Sequence, residues 1–306
     1  EWITNAKKIY GVLNGIDVEE FDPETNPDVI NYNKDTLDKK KENIMTNSYD
    51  NHTFVICAYG ESSYLEDCIQ SLLNQSLRTK VILYTSTPNR TIQNLCQKYN
   101  LPYYHKQGGS IGKDWNNALS FVDRKYATIA HQDDYYNPEY IKLVLEKALK
   151  KEDTLIIYSD YFEEKDRQKV ATTTNLKIKT AMLTTMNLFP KSVFWRRRIL
   201  SFGNAICCPA VTYNLDRLTD FRFDETLRGN LDWIAWYQIA QMKGHFTFVN
   251  EKLMCHRIHS ESETSKTIAD NTRTNEDLET LKLFWPNWIA KLIMRFYVKS
   301  QNTNAS

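Results

Sequence analysis

Two adjacent carboxylates, Asp133 and Asp134, stand at the end of Ala127-Thr-Ile-Ala-His-Gln-Asp-Asp134, an apolar, β-like run that stops abruptly in acid. Neighbouring carboxylates raise each other's pKa, and a divalent cation relieves the repulsion. Hard cations such as Mg²⁺ take carboxylate oxygens and share them with substrate phosphates. The pair therefore suggests a metal–diphosphate site at the C-terminal edge of a sheet. Its plainer reading is a solvated turn before a helix that starts near Pro138. The choice depends on the elements around it.

The chain has 306 residues, 42% hydrophobic and 25% charged, enough for a sizeable core in one large domain or two smaller ones. A net charge of +1 provides no global field for nucleic acid. The sequence shows neither a secretory signal peptide nor an apolar run of membrane-spanning length. Cys57, Cys68, Cys96, Cys207, Cys208 and Cys255 fit neither zinc-site spacing nor a dense disulfide framework. Most sit in apolar surroundings, as buried thiols in a reducing cytoplasm do.

Residues 1–50 differ from the rest, and 34–51 read as a helix fragment plus linker. Thr53-Phe-Val-Ile-Cys-Ala-Tyr59 is a continuous apolar run, typical of a buried parallel strand. Ser62 or Ser63 could N-cap the next helix, with Leu65, Cys68, Ile69, Leu72 and Leu73 on one face. Strands are expected at 80–84, 102–105, 126–130 and 154–160, and helices at 92–99, 113–122 and 138–150. This alternation predicts an α/β fold with a mostly parallel sheet, in which ligands bind beyond the carboxyl ends of the strands. Further on, 172–186 is polar and reads as a mobile loop, 232–242 as a helix, 246–256 as an edge strand and 266–298 as helical, broken at Pro286.

In this order the segments resemble family 2 of the glycosyltransferases, inverting enzymes with the GT-A fold. The matching segments are the turn Cys57-Ala-Tyr-Gly-Glu61, the helix end Ser71-Leu-Leu-Asn-Gln-Ser76 and the glycine segment Gly108-Gly-Ser-Ile-Gly-Lys-Asp-Trp-Asn116. The acid motif His131-Gln-Asp-Asp134, the late Leu231-Asp-Trp-Ile-Ala-Trp236 and His256-Arg-Ile-His-Ser-Glu-Ser262 complete the series. The resemblance covers roughly 53–262, with 1–50 as an appended segment and 263–306 as a C-terminal amphipathic helical tail.

The resemblance implies a metal-dependent inverting glycosyltransferase, moving a sugar from a nucleotide-diphosphate donor such as a UDP-sugar to a surface polysaccharide or lipid-linked glycan. It gives Asp133 the Mn²⁺ or Mg²⁺, with Asp134 and His259 as further ligands. It gives Asp232 the role of catalytic base, taking the acceptor hydroxyl proton during in-line attack. Donor contacts would come from Ala58, Tyr59, Glu61, Ser86, Gly109, Asn116, His131, Gln132 and Asp133. The bland readings are a structural His259, a dipole-favoured Asp232 at a helix start, and Trp233 and Trp236 in the core.

The sequence also departs from the family pattern. Tyr84-Thr-Ser-Thr87 ends the second strand where acids usually read the base, His131 replaces the first acid of the Asp-x-Asp motif, Trp115 stands in for an arginine and Leu231 for a glutamate. These changes motivate the alternative of a non-catalytic glycan- or partner-binding relic. A nucleotidyltransferase would need a basic, glycine-rich phosphate loop, which Gly60-Glu-Ser-Ser63 does not supply.

Residues 1–45 carry a second resemblance, since the stretch that opens Lys8-Ile-Tyr-Gly-Val-Leu-Asn-Gly-Ile-Asp17 and runs to Pro27 looks like a segment of glycogen and starch synthases. Lys177, Lys179, Lys191 and Arg196–Arg198 form a basic cluster that could meet a phosphate-bearing acceptor or simply face solvent. The tail 281–299 is aromatic, basic and amphipathic. It suits a peripheral contact with the inner face of an anionic membrane, and equally a helix packed on the domain or on a second copy.

Overall fold

The computed structural model describes residues 51–259, Ser262, Thr267 and 272–304, the last without the side chains of 296–304. The readings on residues 1–50 lie outside the described residues.

The first half alternates as expected: β1 (His52–Ala58), α1 (Leu65–Leu73), β2 (Lys80–Thr85), α2 (Arg90–Lys98), β3 (Tyr103–His105), α3 (Ile111–Leu119) and β4 (Tyr126–His131). A two-residue strand β5 (Tyr135–Tyr136), α4 (Tyr140–Leu149), the long β6 (Thr154–Lys165) and β7 (Gln168–Lys169) come next. Then come α5 (Thr174–Met186), α6 (Val193–Leu200), a 3₁₀ turn at Cys208–Ala210, β8 (Val211–Asn214), α7 (Leu231–Ile239), β9 (His245–Ile258), α8 (Thr272–Lys282) and α9 (Asn287–Asn304).

One sheet runs β3-β2-β1-β4-β8-β6-β9-β5, with β7 added to β6. β1 is apolar from Phe54 to Ala58 because it is a central strand, its edges paired in parallel with β2 and β4 and its side chains covered by α1 and α3. The registers Ala58↔Thr85 and Cys57↔His131 bring three strand ends to one edge. Beyond β4 the sheet turns mixed, with β8 antiparallel to both β4 and β6, and β6 parallel to β9. β5 pairs Tyr135 with Cys255 and Tyr136 with Met254, which sets the acid turn 132–134 beside the end of β9.

The core takes Phe54, Val55, Ile56, Ile82, Ile129, Tyr158, Tyr213 and Trp236, all completely buried. Each such side chain contributes on the order of 1.5–3 kcal/mol.

The structure corrects several details of the expected pattern. The stretch 172–186 is helical over Thr174–Met186, not a loop. Thr173 caps it by accepting from Leu176 N at 3.2 Å, and Leu176, Leu183 and Met186 are buried. The hydroxyls of Thr180, Thr184 and Thr185 bond back to carbonyls four residues earlier, so a polar sequence is satisfied within the helix. Strand β9 is an edge strand over most of its length, as expected, and β5 covers its far side only at Met254 and Cys255. Neither Ser62 nor Ser63 caps α1: its N-cap is Tyr64, and Ser62 Oγ accepts from Tyr64 N instead. Trp233 and Trp236 belong to the core, each donating its indole N–H to a carbonyl, of Leu200 and Ile206 respectively.

Candidate active site

The site grows from the strand ends. Beyond β1, Tyr59 N donates to Gln132 Oε1 at 3.0 Å and Gln132 Nε2 returns a bond to Tyr59 O at 2.9 Å, tying the turn after β1 to the turn after β4. Gly60 N donates to Thr87 Oγ1 and Gly60 O accepts from Asn89, so the turn after β2 joins the same frame. The Tyr59 ring is 64% exposed, available to stack on a planar ligand. Exposed Glu61 accepts from Thr91 Oγ1 at 3.3 Å.

A residue the sequence pattern does not single out stands at the end of β2. Asp114, on α3, accepts from Ser86 Oγ at 2.7 Å and Tyr84 OH at 3.1 Å. The carboxylate that the strand itself lacks therefore arrives from a helix. The close approach requires a glycine, because a Cβ on Gly108 would lie 2.5 Å from both Asp114 and Ser86. Gly109 has more room. Asn116 faces elsewhere: its amide exchanges two bonds with the Phe223 backbone and donates to Glu225, clasping α3 to residues 223–225.

The acid turn is held from behind by β9. Asp134 is fully buried, and its Oδ1 accepts from Arg257 N at 2.9 Å and lies 3.3 Å from His256 Nδ1. Asp133 Oδ2 lies 2.9 Å from His259 Nε2. The Arg257 guanidinium bonds Asp133 O, Glu164 and Asp67, sandwiched between the rings of Tyr64 and Tyr135. In the sequence Arg257 served only as context for His259; its Arg-x-His spacing was the available signal.

Burial works against the charge on Asp133, but the His259 hydrogen bond and the fields of His131 and His256 overcome it and hold the carboxyl below its ordinary range. Burial likewise opposes charge on His256, yet Asp134, Asp133 and Glu163 raise it to about 8. Ligand atoms of His131, Asp133 and Asp134 all lie within 4.8 Å of one another. Asp134 Oδ2 is buried without a hydrogen-bond partner among the described residues. Two carboxylates, one with an orphaned oxygen, beside imidazole nitrogens suit a divalent cation. His131 stacks on Trp115, ring centroids 5.2 Å apart, so the two departures from the family pattern meet face to face.

Asp232 opens α7 elsewhere in the site. Its Oδ2 accepts from Asn204 Nδ2 at 2.6 Å and its Oδ1 from Trp233 N at 2.7 Å. Burial raises its pKa, against the opposing influences of Arg273, the Trp233 N–H, Asn204 and Lys179. The thiols of Cys207 and Cys208 feel the charges of both Asp134 and Asp232, so this turn is near each of them.

The basic cluster does not act as a unit. Arg196 is completely buried, donating to the carbonyls of Pro190, Gly244, Ala240 and Met242 and lying over the Phe246 ring. It is a structural keystone, and Lys191 pairs with Asp153. Lys179 donates to Tyr161 OH, while Lys177 is exposed.

Residues 53–210 match the profile of glycosyl transferase family 2. The chain is a family 2 glycosyltransferase. An uncharacterized glycosyltransferase of Rickettsia typhi is 22% identical over 248 residues, covering 78% of this chain and 72% of that protein. Among solved structures, residues 1–349 of Staphylococcus aureus TarS, in complex with UDP-GlcNAc, superpose on this glycosyltransferase with a TM-score of 0.53 at 15% identity, over 81% of this chain and 71% of that one. The mannosyltransferase PcManGT of Pyrobaculum calidifontis, in complex with GDP-Man and Mn²⁺, gives a TM-score of 0.53 at 11% identity, over 75% and 62%. These likenesses establish the GT-A fold. A glycogen synthase of Fervidobacterium nodosum is 56% identical over 39 residues, 12% of this chain and 8% of that protein, in keeping with the second resemblance.

Proposed function

We propose that this glycosyltransferase moves a sugar from a UDP-sugar to a hydroxyl of a surface polysaccharide or lipid-linked glycan, with inversion at the anomeric carbon. The observation that carries the reading is the contrast between two acid environments: Asp133, 2.9 Å from His259 and held below its ordinary range, and Asp232, oriented by Asn204 and the Trp233 N–H and raised by burial. The donor nucleotide lies along the strand-end frame, with the base on Tyr59 and its edge read by Glu61, Ser86 and Asp114. TarS with UDP-GlcNAc and PcManGT with GDP-Man and Mn²⁺ are the fold neighbours that motivate a nucleotide-sugar donor.

Asp133, His259 and Asp134 are the residues to hold Mn²⁺ or Mg²⁺. When bound, the ion supplies positive charge that stabilises the departing diphosphate. Asp232 accepts the proton of the attacking hydroxyl. Its raised pKa makes the carboxylate a stronger base than a solvated aspartate, while Asn204 and the Trp233 N–H fix its orientation.

The partner surface we propose is an anionic membrane face. Between residues 281 and 306 the chain has no acidic residue. On α9, Ala290 and Met294 pack inward near Trp233, leaving Trp288, Lys291, Leu292 and Arg295 exposed on the opposite side. The patch continues onto α6, where Arg198 lies over the rings of Phe194 and Trp285, and Phe202 meets Trp285 edge-on. Interleaved aromatics and cations of this kind suit the interface of a bilayer. Among the described residues no helix is long and apolar enough to cross one.

The test is thermal denaturation with UDP, GDP and other nucleoside diphosphates, with and without Mn²⁺, on wild type and Asp133→Ala. A ligand that binds only the folded state raises the melting temperature by mass action. A Mn²⁺-dependent shift with UDP that disappears in Asp133→Ala is the expected result. No shift with any nucleotide would overturn the metal–diphosphate site.

A further inference from the structure

Three consecutive backbone N–H groups converge on one carboxylate at the entrance to α7. Glu276 Oε1 accepts from Arg228 N at 2.9 Å, and Glu276 Oε2 accepts from Gly229 N at 2.6 Å and Asn230 N at 2.8 Å. The next residue on α8, Asp277, takes the side-chain amide of Asn230 at 2.6 Å, and Thr280 Oγ1 lies 3.4 Å from the same nitrogen. Asn230 and Asp277 are each 1% exposed, so both are shielded from competing water.

Asn230 is the N-cap of α7 and makes no side-chain cap of its own. The turn before the helix is therefore secured from outside, by a helix more than forty residues later in the chain. A carboxylate accepting several N–H groups makes strong, charge-assisted bonds, and negative charge is favourable at a helix N-terminus. The packing is close: a Cβ on Gly229 would come 3.0 Å from Glu276 Oε2 and 3.6 Å from the Arg273 Cα. The same C-terminal segment supports α7 further along, where Trp233 packs with Leu281, Ala290 and Met294.

We propose that α8 belongs to the transfer machinery, with Glu276 as a positioning residue that fixes the turn 228–230 and thereby the placement of Asp232. This rests on the reading of Asp232 as the base. Only Leu231 lies between Asn230 and Asp232, so a loosened turn moves the carboxylate directly. Misplacement by about 1 Å costs a reaction on the order of a hundredfold. Arg273, one turn before Glu276 on α8, also acts on Asp232 by favouring its ionised form.

The experiment compares the full chain with Glu276→Gln, Glu276→Asp and Asp232→Asn. Turnover is read as UDP release from UDP-glucose, UDP-galactose and UDP-N-acetylglucosamine with Mn²⁺, alongside UDP thermal shift and amide hydrogen exchange of residues 228–234. Glutamine keeps the shape but presents an N–H₂ where one oxygen accepted. It is expected to lower kcat at least tenfold, leave the donor KM and UDP shift unchanged, and speed exchange over 228–234. Aspartate, which keeps the charge, is expected to recover part of the loss. Wild-type exchange or wild-type kcat in Glu276→Gln would overturn the proposal. Retained turnover in Asp232→Asn would instead overturn the base reading alone. Should Glu276→Gln fail to fold, Gly229→Ala crowds Oε2 and reports on the same clamp through the same exchange.

Discussion

Asp133 and Asp232 are the same residue type in the same catalytic domain, and their surroundings drive them in opposite directions. Burial disfavours charge on both. At Asp133 a direct imidazole contact from His259 and two further histidines reverse the sign. At Asp232 an amide, one N–H and two more distant cations fall short of doing so. The direction in which an aspartate is driven thus depends on whether its partners outweigh its burial: they do at Asp133 and do not at Asp232. In the function proposed above, one region holds a fixed negative charge and the other exchanges a proton.

The sharpest way to break this comparison is Asp232→Asn. General-base assistance contributes on the order of 10²–10⁴-fold. The variant should lose turnover on that scale in a UDP-release assay while keeping a wild-type UDP–Mn²⁺ thermal shift. Asp133→Ala should do the reverse to binding, abolishing the Mn²⁺-dependent shift. If both variants lost the shift equally, the division into two regions would be wrong.

The pH dependence is the next largest effect. As the proposed base, Asp232 must be ionised to act, and its folded pKa is raised, so the acidic limb of kcat should fall above the usual carboxylate range. The stability consequence has the opposite sign to that of a salt-bridged acid. A raised folded pKa means the native state holds the proton more tightly than the unfolded chain, so this residue's contribution declines as pH rises from the unfolded value through the folded one. At neutral pH, Asp232→Asn should therefore melt at or above the wild-type temperature, read by a thermal scan at pH 7 and again at pH 4, where the difference should shrink.

A smaller effect concerns the outer surface. Trp288→Ser with Leu292→Ser should weaken binding to vesicles containing anionic lipid by roughly thirtyfold or more in a flotation assay, given about 1 kcal/mol or more per interfacial side chain. UDP release in solution should be unchanged.

Much of the first half of the fold was legible in the sequence because parallel strands buried on both faces read as apolar runs, as β1 and β2 do over most of their length. The acid pair was visible for the same reason, as a break in such a run. The second half was harder. Residues 174–186 look like a loop by polarity, and the Thr173 cap, the buried Leu176, Leu183 and Met186 and the i−4 hydroxyl bonds together explain why they are helical. Asp114, Asn204 and Glu276 act across 28 to 47 residues of sequence, and pattern alone gives no warning of such pairings. Arg196 looked like part of a basic surface, because a run of three arginines does not show which one turns inward.

All six cysteines are free thiols, and in each of them burial is the main cause of a raised pKa, with Cys96 at about 11 and Cys255 at about 12. A thiol attacks as its thiolate, so the folded molecule presents almost none of the reactive species. Alkylating reagents then read the chain as a clock, each sulfur becoming modifiable only when its own neighbourhood opens. With Cys207 and Cys208 under the influence of both Asp134 and Asp232, and Cys96 on α2, labelling order resolves whether ligands tighten the neighbourhood of the acids independently of that helix.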